Sequence, residues 1–188
     1  MARKIETPLD EETARSLRAG DRVEIFGEIY AARDAAHDRL LQLLARGEML
    51  PFDIEGAVIY YVGPTPARPG KVIGAAGPTT SSRMDPYVED LLARGLRGMI
   101  GKGPRSEEVM EALGRHGAVY FAATGGAGAL LSRAIVAQEI VAWEDLGPEA
   151  LRRLDVRAFP AVVAADSCGG DLYRSGPKRY RARHEQES

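Results

Sequence analysis

The segment Leu96-Arg-Gly-Met-Ile-Gly-Lys-Gly-Pro-Arg-Ser-Glu-Glu-Val-Met-Glu-Ala-Leu-Gly-Arg-His-Gly-Ala-Val-Tyr-Phe-Ala-Ala123 decides the fold. A short apolar stretch, Leu96-Arg-Gly-Met-Ile, runs into the turn Gly101-Lys-Gly-Pro. Ser106-Glu-Glu then supplies an N-cap hydroxyl and two acidic residues for the first turn of a helix, whose positive end they complement. Ala118-Val-Tyr-Phe-Ala-Ala123 is a second run of strand length. Neither run alternates, as expected of strands covered on both faces, and strand, turn, helix and strand in so short a span is the building unit of α/β domains.

Working outward, Ala57-Val-Ile-Tyr-Tyr-Val and Lys71-Val-Ile-Gly-Ala-Ala read as further central strands, joined by the Pro-dense crossover loop Gly63 to Gly70. Asp85-Pro86 opens a helix, with the Asp85 carboxylate as N-cap and Pro at the first helical position, and Gly95 closes it. Arg22 to Tyr30 alternates polar and apolar residues as a half-exposed strand does, with Gly27 as a candidate bulge. From Asp34 the period changes. Ala36, Leu40, Leu43 and Leu44 form one helical stripe ending near Gly47. Gly125 to Ser132 reads as a glycine-rich turn and helix, and Pro160-Ala-Val-Val-Ala-Ala as a last strand ending at Asp166. The expectation is a single α/β domain, residues 1–173, with a mixed sheet and flanking helices. Residues 174–188 form a charged, flexible tail, which mixes five Lys/Arg with Glu185 and Glu187.

The composition agrees with a globular domain: 188 residues, 45% hydrophobic and 28% charged, with 25 Lys+Arg against 27 Asp+Glu for a net charge of −2. A chain of this size buries roughly 70% of its unfolded surface and needs no disulfide. Near-neutrality without a basic stripe argues against nucleic acid, whose affinity rests on phosphate neutralisation. The longest uncharged stretch, Gly117 to Ser132, is broken by Thr124, Gly125, Gly126 and Gly128 and is too short to span a membrane. No apolar segment follows Met1-Ala-Arg-Lys-Ile-Glu-Thr-Pro, so no export signal and a cytoplasmic location are expected. Cys168 is the single cysteine, which excludes an internal disulfide and any all-thiolate zinc or iron–sulfur site built by this chain alone.

The densest polar signal is Gly77-Pro-Thr-Thr-Ser-Ser-Arg-Met-Asp, four consecutive hydroxyls and an Arg between a strand and a helix start. Such loops cradle anions: hydroxyls and amides donate to carboxylate or phosphate oxygens and Arg83 adds a planar fork. The alternative is a solvated turn with a salt-bridged Arg. Lys102, between two glycines, either projects its ammonium into a cleft or is an exposed turn lysine. Phosphate-loop spacing fails there, since Leu96 and Gly103 stand where a Gly and a Ser/Thr are required, and Gly126-Ala-Gly128 places Leu131 where a dinucleotide fingerprint needs its third Gly. Arg33-Asp-Ala-Ala-His37 sets a guanidinium and an imidazole on one face at a helix start, as an anion site or as a surface ion pair beside a locally bonded histidine. His116 and His184 read as surface residues. Cys168 has no nearby His to activate it and reads as a bland thiol.

Together the loop Gly77 to Pro86, Met99-Ile-Gly-Lys-Gly, the turn Tyr120-Phe-Ala-Ala-Thr-Gly-Gly-Ala and Arg33-Asp-Ala-Ala-His resemble the β subunit, or C-terminal domain, of the iron–sulfur class I fumarate hydratases and L(+)-tartrate dehydratases. The likeness runs from about Ile5 to Tyr173. It implies a fold of the swivelling β/β/α type and a hydro-lyase acting on a small dicarboxylate, fumarate to malate first and L-tartrate to oxaloacetate second. It implies a [4Fe-4S] cluster, Lewis acid to the departing hydroxyl, held by three cysteines of a partner α subunit in an αβ or (αβ)2 assembly, with no metal ligand in this chain. By position, Arg33, Arg83 and Lys102 match carboxylate-binding cations, and Thr79 matches a hydroxyl beside the carbon that exchanges a proton. A Thr hydroxyl is a poor base and needs help from cations or a partner carboxylate. Asp166-Ser-Cys-Gly-Gly-Asp departs from the Lys-Gly-Asn type of sequence at this point of the family. The competing reading is a non-catalytic dicarboxylate- or anion-binding module using the same loop; an enzyme of sugar phosphates comes third.

Overall fold

The structure, a computed structural model, describes residues 2–186. Its strands are β1 (Arg3–Glu6), β2 (Arg22–Ala31), β3 (Val58–Tyr60), β4 (Gly98–Gly101), β5 (Val119–Ala122), β6 (Ile135–Ala142) and β7 (Leu151–Ala165). The helices are α1 (Glu11–Ser16), α2 (Asp34–Ala45), α3 (Asp85–Leu92), α4 (Glu107–His116), α5 (Gly128–Leu131) and α6 (Leu172–Gln186). Caps are local: Asp10 accepts from Thr13 N at 2.6 Å, Ser106 accepts from Val109 N at 3.3 Å as expected, and α4 stops at Gly117, whose φ of 63° suits glycine.

Strands β2, β3, β4 and β5 run parallel, and the long β7 pairs antiparallel with both β5 and β2, closing the five into a barrel-like ring. β1 lies beside the first half of β2, and β6 beside the first half of β7. Alternation sorts the core into two clusters. Val58, Tyr60, Ile100, Val119 and Phe121 meet Val23, Ile25 and Ile29 on one side of the sheet. Ile59, Tyr61, Met99 and Tyr120 meet the apolar faces of α2, α3 and α4 on the other, through Leu40, Val88 and Leu113. Gly27 marks the expected bulge: the β2–β7 register shifts between Ile25 and Gly27, and Gly27 has φ 103°. This is a single α/β unit with a mixed sheet and flanking helices, and none of its helices among the described residues is long and apolar enough to cross a membrane.

Three expectations are corrected. Lys71 to Ala76 is no strand, although Ile73 and Ala76 are buried. Its groups bond locally, Thr65 N to Ala75 O and Ala75 N to Thr65 Oγ1, and Gly74 sits so close to Thr65 that a Cβ would lie 2.1 Å from its carbonyl oxygen. Asp85 does not cap α3; its carboxylate accepts instead from Arg105 Nε at 2.7 Å and from Ser106 N at 2.9 Å. The last strand starts at Leu151, nine residues before Pro160. Sequence patterning does not reveal β1, α1 or β6. Where a tail is expected from Arg174, the chain continues as α6 to Gln186; residues 187–188 and the side chain of His184 lie outside the described residues.

Candidate functional site

The parallel strands β2 to β5 bring their carboxyl ends to one edge of the ring, the place where open α/β sheets bind ligands. Arg33 follows β2 as the extended N-cap residue of α2. Lys102 follows β4 directly, and Thr124-Gly125 follow β5. After β3 the chain loops out and returns, and the returning stretch adds itself to the sheet edge. Thr79 N donates to Tyr61 O at 2.8 Å, Lys102 N to Thr79 O at 3.2 Å and Ser81 N to Lys102 O at 2.9 Å. Thr79 and Lys102 are therefore main-chain neighbours, and the 3-10 turn Ser81–Met84 carries Arg83 onward from them.

Arg83 reaches the N-terminus of α2. Its Nε donates to Asp34 Oδ1 at 2.9 Å, its Nη2 lies 2.9 Å from Asp34 Oδ2, and its side chain is half exposed. Arg33 lies 3.7 Å from the same carboxylate through Nε and 3.5 Å from Glu149 Oε1 through Nη2. Glu149, from the 3-10 segment Glu144–Glu149, also accepts from Ala35 N at 3.1 Å, so it braces the helix start and the arginine together. Gly63 leaves room for that guanidinium: a Cβ there would lie 2.8 Å from Arg33 Nη1. Within the cluster an internal carboxylate, Asp34, already occupies the fork of Arg83. Lys102 has no carboxylate partner among the described residues, and with Thr124, Gly125, Val162, Leu172 and Tyr173 it lines a cavity of about 360 Å3.

The four residues singled out by sequence thus fall at one end of the sheet, Arg33 with Arg83 across Asp34 and Thr79 with Lys102 through main chain. His37, paired with Arg33 by spacing, is buried; its Nδ1–H donates to the Arg33 carbonyl at 2.8 Å, and burial pulls its pKa down to about 4, so the ring is neutral. His116 lies partly exposed, 3.0 Å from Glu89. Asp166 explains its loop: Oδ1 accepts from Cys168 N and Gly170 N at 2.8 and 2.9 Å, and Oδ2 from Ala19 N at 2.8 Å. Cys168 is exposed there, while Tyr173 beyond it accepts from Gly103 N at 2.9 Å and touches the Lys102 turn.

Sequence reasoning missed Asp34 and Glu149 as partners of the arginines, and the buried Arg105. That guanidinium stacks between Tyr61 and Tyr120, 5.4 and 5.0 Å from their ring centroids, while its Nε holds Asp85. Asp34 was legible as the neighbour of Arg33. Glu149 and Arg105 carried no local signal, because their partners lie far off in sequence.

The family model described as Fumarase C-terminus matches residues 2–176. A putative fumarate hydratase class I of Geobacillus stearothermophilus is 40% identical over 174 residues, 90% of this chain and 33% of that protein. The aerobic class I fumarate hydratase of Escherichia coli (strain K12) is 39% identical over 155 residues, 81% of this chain and 28% of its own length. A putative L(+)-tartrate dehydratase subunit beta of Methanocaldococcus jannaschii is 36% identical over 177 residues, 91% of each chain. The chain spans about a third of the length of the fumarate hydratases it matches and nearly all of the tartrate dehydratase subunit. On this extent of likeness, over the segments that assemble the site, the chain belongs to the Fumarase C-terminus family.

Proposed function

We propose that this chain is the β-type half of a hydro-lyase that adds or removes water at a small dicarboxylate, fumarate to malate first and L-tartrate to oxaloacetate second. The observation that carries the reading is the gathering of Arg33, Arg83, Lys102 and Thr79 at the carboxyl ends of parallel strands, in a family with members named fumarate hydratase and L(+)-tartrate dehydratase subunit beta.

A dicarboxylate needs cationic contacts at both ends to leave water. The half-exposed edge of Arg83 offers a fork once Asp34 yields it, Arg33 adds a second fork, and Lys102 lines the neighbouring cavity. Removing a proton from the carbon next to a carboxylate spreads negative charge into that group, and fixed cations stabilise the transition state more than the ground state. Main-chain bonds tie Thr79 to Lys102, and its hydroxyl takes part in the proton's path with the ammonium or a partner carboxylate lowering its cost.

A [4Fe-4S] cluster does not fit the residues of this chain. Cys168 is its one cysteine, and among the described residues no group of three or more His, Cys, Asp or Glu could hold a metal ion. We therefore place the cluster on a partner α subunit that covers the cation-lined edge, in an αβ or (αβ)2 assembly in the cytoplasm. The ring with appended β1 and β6 supports the swivelling β/β/α type, with residues 1–173 as the catalytic unit and 174–188 as a tail outside it.

Reconstitution tests this. The chain alone should turn over neither fumarate, malate nor L-tartrate, and the chain with a cluster-bearing partner should turn over at least one. Arg83→Ala should then lower kcat/KM by about tenfold or more, the effect of removing one charged interaction from a sheltered site. Turnover by the isolated chain, or an unaltered Arg83→Ala enzyme, overturns the reading. Micromolar dicarboxylate binding by the isolated chain in calorimetry would favour the anion-binding module instead.

A further inference from the structure

Tyr120 lies in β5 on the face turned to the helices, fully shielded from solvent, and the chemistry proposed above does not use it. Its hydroxyl joins the two segments that carry Thr79 and Lys102. It is 2.8 Å from the Gly103 carbonyl oxygen and 2.8 Å from Ser81 Oγ. A carbonyl oxygen can only accept, so the Tyr120 proton goes to Gly103 and the Ser81 hydroxyl donates to the Tyr120 oxygen. Gly103 follows Lys102 directly, and Ser81 lies midway between Thr79 and Arg83 in the chain.

The surroundings over-determine this link. Ser81 is fully buried, and Gly101 has no Cβ where Ser81 Oγ packs; one placed there would lie 1.9 Å from that oxygen. The Arg105 guanidinium, fixed by Asp85, covers the Tyr120 ring at 5.0 Å. Burial raises the pKa of the phenol, which keeps it a protonated donor. In so dry a place, breaking either bond strands a donor or an acceptor, so the three groups hold one geometry.

We propose that Tyr120 is a positioning residue: by accepting from Ser81 and donating to Gly103, its hydroxyl sets Thr79 and Arg83 at the separation from Lys102 that a bound dicarboxylate requires. The role rests on the reading of the site as a dicarboxylate site, and the experiment has one arm that does not depend on it.

In the full chain, Tyr120→Phe should speed hydrogen exchange at the Ser81 and Lys102 amides by about tenfold or more and leave the β2–β7 amides unchanged. In the enzyme assembled with its cluster-bearing partner, it should lower kcat/KM by about tenfold for fumarate or L-tartrate, whichever the wild type turns over. The double variant Tyr120→Phe/Lys102→Ala should be within about threefold of Lys102→Ala alone, because once the ammonium is gone its separation from Thr79 and Arg83, which Tyr120 sets, has nothing left to act on. Ser81→Ala cuts the link from the other side and should reproduce both effects even if Tyr120→Phe folds poorly. Unaltered exchange in both variants, or losses that multiply in full with Lys102→Ala, overturns the proposal. If the wild-type assembly turns over no dicarboxylate, the hydro-lyase reading falls, and the exchange arm alone decides whether Tyr120 sets this register.

Discussion

His37 packs edge-on to Tyr61 and against Tyr87, ring centroids at 5.4 and 5.6 Å, with Nδ1–H committed to the Arg33 carbonyl and Nε2 without a partner. In the unfolded chain the imidazole titrates near 6.5, whereas in the fold burial holds it neutral down to about 4. The stability this contributes is complete above pH 6.5 and is lost as pH falls from there towards 4, a loss of about 3 kcal/mol by linkage. His37→Gln keeps a donor for the carbonyl but cannot titrate. Urea unfolding at stepped pH should therefore show the wild type losing about 3 kcal/mol more than the variant between pH 6.5 and 4, and equal losses would show that the ring already carries charge in the fold. At this scale much was legible. The alternative of a locally bonded histidine describes His37, whose partner is the main-chain carbonyl of Arg33 and not its guanidinium. Asp34 in the fork of Arg83 was not legible, since 49 residues separate them and only the fold brings them together.

Among the elements, the turn out of β3 shows how a missing side chain shapes the site. Gly63 lies against Arg33, where a Cβ would come 2.8 Å from Nη1 and 3.1 Å from Cδ. The clash is with a side chain and not with backbone, so Gly63→Ala should displace the guanidinium without breaking the fold. On the proposed dicarboxylate reading, KM should rise about three- to tenfold in the assembled enzyme with Tm moved by no more than a few degrees; an unaltered KM would detach Arg33 from binding. The elements legible in the sequence are those whose pattern reports on hydrogen bonding as well as burial: α4 with its Ser106 cap, and α2 with its apolar stripe. Lys71 to Ala76 was over-read because apolar composition signals burial, and a loop threaded under Thr65 buries Ile73 and Ala76 as well as a strand does. β6 was missed for the converse reason. It packs on β7 with only Ile135 fully buried, so it offers neither an apolar run nor clean alternation.

On the scale of the molecule, α6 leaves the ring after its first turn has placed Tyr173 against Gly103 and Arg174 beside Glu107. Pro177 follows within the helix, where it can donate no hydrogen bond. A chain ending at Gly176, where the match to the family model also ends, should keep its Tm within a few degrees and its activity in the assembled enzyme. A large loss of either would make residues 177–188 part of the working unit. The α/β class was legible because strand–helix–strand units recur along the chain, but closure of the ring was not. It depends on β7 meeting β2, with Arg22 opposite Val162 and Ala31 opposite Arg152, a pairing of long sequence separation that no local pattern announces. That pairing has a consequence for the making of the protein. During translation β2, which ends at Ala31, is made well before its closing neighbour, which begins at Leu151, so Val23, Ile25 and Ile29 wait beside an unfilled strand edge until β7 has been made. Through that interval the growing polypeptide must stay soluble with this edge open.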